Sequence, residues 1–103
     1  MLDLQIQHHF GNRVYAKQMH LPANHFAQSH KHTFDHLSIL AVGDAMVEVD
    51  GVATRYSAGS CILIKANAIH TITAITDCVW FCIHATDLTD PQQIDETLIE
   101  GDK

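Results

Sequence analysis

Residues 30–36 read HKHTFDH, and they set His30, His32 and His36 at even offsets along the chain. In a strand, residues two and four apart point to the same side. Three imidazoles so spaced can face one interior. A fourth, His70, stands in NAIHTI, where His70, Ile72 and Ala74 alternate with Ile69, Thr71 and Thr73. Four histidines on inward strand positions form a metal-ligand pattern.

Short strands surround these histidines. RVYAKQMH (13–20) reads as a first strand, and 20–29 as either a strand or a loop. HLSILAV ends at Gly43-Asp44. AMVEV and VATRY are joined by Asp50-Gly51, a two-residue hairpin signal, because a type I′ turn needs positive φ at both central positions. SCILI, IHTITAI and CVWFCIHA follow, separated by the turn residues 57–59, 65–68 and 76–77. This spacing predicts an all-β sandwich or barrel. Either Ile62 and Ile64 or Cys61 and Leu63 face the core, depending on register. At the end, TDPQQIDETLIE predicts a short C-terminal helix over about 90–100. Asp90 is its N-cap, Pro91 its first residue, and Ile94 and Leu98 lie on its apolar stripe.

Composition narrows the partners. The 103 residues carry a formal charge of −6, and the 6 Lys and Arg are scattered. Phosphate binding needs such charges clustered, so nucleic acid is not an expected partner. No apolar run approaches the ~20 residues that span a bilayer, and the start MLDLQIQHH lacks a signal-peptide pattern, so no membrane partner is expected. Three cysteines without a CxxC fit reduced thiols and a cytoplasmic location. Uniform composition predicts one domain over 1–103, with a core barrel at about 13–85.

With these residues in place, the chain resembles the cupin superfamily over about residues 13–85. The first cupin motif, G-x5-H-x-H-x3,4-E-x6-G, reads here as Asn24, five residues, His30-x-His32, three residues, His36, six residues and Gly43. The second, G-x5-P-x-G-x2-H-x3-N, reads as Gly59, five residues, Lys65, Ala66, Asn67, two residues, His70, three residues and Ala74. Asn24 and Asn67 stand for glycines, and asparagine is the residue that best tolerates positive φ in glycine's place. His36 replaces the usual glutamate, which resembles the four-histidine subset of small single-domain cupins.

The resemblance implies a cupin jelly-roll β-barrel, a double-stranded β-helix, in which His30, His32, His36 and His70 hold one divalent transition metal. Imidazole suits Fe, Zn, Ni and Cu, and Mn occurs in such cupins. Four neutral imidazoles leave the ion's charge of about +2 uncompensated, against about +1 with a glutamate, so the site is expected to favour an anionic or enolate ligand. Phe34, Cys82 and Trp80 are pocket neighbours by parity or by resemblance, with Cys78, Trp80, Cys82 and His84 sharing one face of their strand. Cys82 reads either as a thiol beside the metal cavity or as a small buried residue. His20, His25 and His84 read as surface or hydrogen-bonded core residues, one of them a conceivable acid or base. His8 and His9 read as exposed.

The expected activity is a metal-dependent, oxygenase-type reaction on a small organic molecule, with no catalytic base assigned. The alternatives are a non-catalytic metal or small-ligand binding module or sensor and, less favoured, a sugar-type isomerase or epimerase. Exposed barrel edges imply a homodimer.

Overall fold

The turns are written in backbone signs that few residues tolerate. The computed structural model describes residues 3–28 and 34–86. Asp50 and Gly51 have φ of 50° and 82°, as the type I′ expectation requires. Asn24 (67°) and Asn67 (64°) also take positive φ, so the two asparagines keep the turns that cupin glycines make. Gly43 is fixed more tightly still. Its φ is 91°, and a Cβ there would collide with the Asp77 carbonyl.

These turns connect nine strands among the described residues: β1 (Gln7–Gly11), β2 (Val14–Leu21), β3 (Phe26–Gln28), β4 (His36–Val42), β5 (Asp44–Val49), β6 (Val52–Ser57), β7 (Ser60–Ile64), β8 (His70–Ala74) and β9 (Cys78–Ala85). No helix occurs among the described residues, and the C-terminal helix expected at 90–100 lies outside them. The strands form two antiparallel sheets, ordered β1-β2-β9-β4-β7 and β3-β8-β5-β6. Strands close in sequence are split between the sheets, as in a double-stranded β-helix. The 20–29 segment contains the short strand β3, paired with β8. The start of the chain adds β1, an exposed edge strand that the first-strand assignment at 13–20 left out.

Register sorts the inward side chains of the five-stranded sheet into rows. Tyr15 lies opposite His84, Lys17 opposite Cys82, and Met19 opposite Trp80. On the other side of β9, Ser38 lies opposite Cys82 and Leu40 opposite Trp80, and extending that register sets His36 beside His84. Ile64 and Ile62 then close the rows opposite His36 and Ser38. Ile62 and Ile64 are buried while Cys61 and Leu63 are exposed, which settles which pair faces the core.

The rows change character along the strands. At one end Leu21, Leu40, Cys78 and Trp80 pack against Ala45, Val47, Ile72 and Ala74 of the other sheet in a continuous apolar core. Full burial of a side chain such as Leu40 stabilises the fold by about 1.5–3 kcal/mol. At the other end the row is Tyr15, His84, His36 and Ile64, with His70 in the facing sheet.

Candidate metal centre

Polar rings fill the second end because the strands start and stop there. β4 begins at His36, and Asp35 just before it accepts a hydrogen bond from the Ala66 amide at 2.7 Å. Ala66 belongs to the turn that leads into β8, whose first residue is His70. One carboxylate thus ties the entry of one histidine strand to the entry of the other. Strand alternation does not run back from His36 through Phe34, since residues 34 and 35 precede the strand.

His36 and His70 are both buried, at 4% and 1% exposure, although they come from different sheets. Their ring centres are 5.9 Å apart with planes tilted by 48°. Two imidazoles that share one ion at ~2.1 Å have ring centres roughly 4.5–6.4 Å apart. The separation of the pair lies within that range. His30 and His32 lie outside the described residues. Among the described residues no three His, Cys, Asp or Glu side chains gather closely enough to hold an ion by themselves.

His84 is the third buried histidine among the described residues. Its ring lies 4.9 Å from that of His36. On its other side Tyr15, 1% exposed, stacks on it at 6.0 Å and 12°. The Tyr15 hydroxyl lies 2.6 Å from His8 Nδ1, and the His8 ring stacks on Tyr15. A run of rings thus leads from exposed β1 through Tyr15 and His84 to His36. His84 shares strand parity with Trp80, but its place beside His36 follows from a pairing between distant strands. Of the other histidines, His20 is half-buried and His25 exposed, while His9 on β1 is exposed and bonded to Gln18.

The expected neighbours divide. Cys82 faces inward and is half-buried, and Ser38 donates a hydrogen bond to its sulfur at 3.8 Å. Burial pushes the thiol pKa up from its ordinary value, while the Ser38 hydroxyl and the Lys17 charge pull it part of the way back. Trp80 is 1% exposed and packs in the apolar core, one row further along. Phe34 is 57% exposed, in the bend ahead of β4.

Two sheets wound as a double-stranded β-helix, with inward histidines at one end, define a cupin-type barrel. The chain belongs to the cupin-domain family, whose model matches residues 17–84. Solved structures agree on the fold. The chain is similar to a cupin 2 domain-containing protein from Halorhodospira halophila (TM-score 0.72, 15% identity, 94% of this chain and 77% of that one). It is also similar to an RmlC-like cupin with a double-stranded β-helix fold from Methanocaldococcus jannaschii (TM-score 0.67, 16% identity, 87% and 84%). A Photorhabdus luminescens protein matches over 72% of this chain and 63% of its own length (TM-score 0.66, 16% identity). No curated protein sequence matches this chain.

Proposed function

We propose that this cupin is a metal-binding protein of the four-histidine kind, in which His30, His32, His36 and His70 hold one divalent transition ion (Fe, Mn, Zn, Ni or Cu). The observation that carries this reading is the His36–His70 pair, two imidazoles nearly sealed from water and facing each other from separate sheets. Imidazole is a ligand of first-row transition ions, and a ring separation of 5.9 Å suits two ligands of one ion.

When bound, such an ion supplies Lewis-acid polarisation of a coordinated oxygen and, where it is iron, electrons for dioxygen chemistry. The chain's own residues do the rest. The Asp35–Ala66 bond ties the start of the His36 strand to the turn before His70, and buried Ile64 and Ile72 lie next to the two histidines. His84, braced by Tyr15, presents an imidazole to whatever His36 and His70 bind. The reaction class proposed is an oxygenase-type conversion of a small organic anion. Three free cysteines support a reducing, cytoplasmic setting. The outer face of the five-stranded sheet exposes Leu37 and Leu63, which supports a homodimer through that face.

Oxygen-electrode assays of iron-loaded protein across a panel of diketones and phenols test the activity. Uptake of dioxygen that depends on one substrate class is expected. Metal uptake with no dioxygen consumption would overturn the oxygenase reading in favour of a non-catalytic binding module.

A further inference from the structure

Lys17 is out of place for a solvent-facing lysine. It lies on β2 between Tyr15 and Met19, with the strand parity of Tyr15 and Leu21, both 1% exposed. It is itself half-buried. Its cross-strand neighbours are His8 on exposed β1 and Cys82 on β9, with Ser38 beyond Cys82, so it occupies the row next to Tyr15, His84 and His36.

Among the described residues no acidic side chain shares this row or the rows beside it. The inward positions flanking it on β9 and β4 are Trp80, Cys82, His84, His36, Ser38 and Leu40. On the facing sheet they are His70, Ile72, Ala74, Ala45, Val47 and Val49. None is Asp or Glu. A lysine half-buried among neutral side chains leaves its charge available to an anion that reaches it. Its charge is felt inside, because it helps to lower the pKa of the Cys82 thiol against the upward push of burial.

We infer that Lys17 is the anion-recognition residue of this site, and that the ligand is a small carboxylate bridging the Lys17 ammonium and the His36–His70 pair. The inference rests on the metal reading only for the far end of that bridge. Strands lie about 4.8 Å apart, so Lys17 on β2 and His36 on β4 are separated by about two strand spacings and one row. The lysine side chain spans part of that gap, and a chain of a few carbons spans the rest. A carboxylate-terminated molecule of that length is favoured over a neutral isostere, because a charge-assisted bond formed away from bulk water is roughly twice as strong as a neutral one.

Titration calorimetry with malonate, and with neutral malonamide as control, tests this on the full-length chain with and without zinc. Wild-type protein should bind malonate and not malonamide. Lys17→Met should lose about tenfold or more in malonate affinity, the size of one partly desolvated ion pair, and Lys17→Arg should recover most of it. Zinc content should be the same in all three proteins, and without malonate the thermal midpoint of Lys17→Met should be no lower than that of wild type. Undiminished malonate affinity in Lys17→Met overturns the inference and identifies Lys17 as a side chain whose stem packs while its head reaches water. No malonate binding by wild type, loaded or metal-free, overturns it as well. If wild type takes up no zinc, the metal reading fails alone. The tenfold difference is then expected between the metal-free proteins, and equal affinities there overturn the role of Lys17.

Discussion

The two ends of this interior share the same inward strands and differ in what the strands carry. At the apolar end Leu21, Leu40, Trp80 and Cys78 close against Ala45 and Ala74, and the loops there are bound down. The Ala23 amide donates to Asp77, the Asp44 amide donates to Thr76 Oγ1, and the Cys78 thiol donates to the Asp44 carbonyl. At the polar end the same strands present Tyr15, His84, His36, His70 and Lys17. One end is arranged for stability. The other gathers polar groups whose burial costs free energy that their partners must offset.

Substitutions should separate the two ends. Leu40→Ala removes a fully buried side chain from the apolar end and should destabilise the protein by about 2–5 kcal/mol in urea denaturation. Gly43→Ala sets a Cβ against the Asp77 carbonyl at positive φ and should cost about 1–3 kcal/mol by the same measurement. At the polar end, a His36→Leu, His70→Leu double variant of metal-free protein should change stability by less than about 1 kcal/mol, or raise it, since apolar groups of similar size replace buried polar ones. A loss comparable to that of Leu40→Ala would erase the contrast.

A smaller effect places one thiol at each end. Burial, with Asp44 and Asp77 nearby, raises the Cys78 pKa, and burial raises that of Cys82. Both therefore stay protonated in the folded chain past the ordinary value of 9.0, where the unfolded chain releases its protons. The stability this confers is complete below pH 9.0 and is lost as pH rises from there through the folded values. Thermal midpoints across pH 8–11 should fall for wild type and fall less for a Cys78→Ala, Cys82→Ala variant. Equal slopes would show that the thiols are not the groups responsible.

Local signals carried most of this fold. HLSILAV, SCILI and CVWFCIHA coincide with β4, β7 and β9, because Gly and Asp turns bound them and one face of each is apolar. β1 escaped because QHHFG is exposed along its whole length and shows no apolar alternation. The register also escaped, and with it the site's wider membership. That His84 lies beside His36, and Lys17 opposite Cys82, follows from pairings between strands more than forty residues apart in sequence. His36 and His70 were visible because motif spacing marks them. His30 and His32 are outside the described residues, and the spacing argument stands alone for them.

Metal stoichiometry reads the central claim most directly. Equilibrium dialysis against zinc or cobalt, with elemental analysis of the recovered protein, should give one ion per chain for wild type and about a hundredfold weaker binding for His36→Ala or His70→Ala. Wild-type protein that retains no metal, or variants that bind it as tightly as wild type, would contradict a metal centre at the polar end.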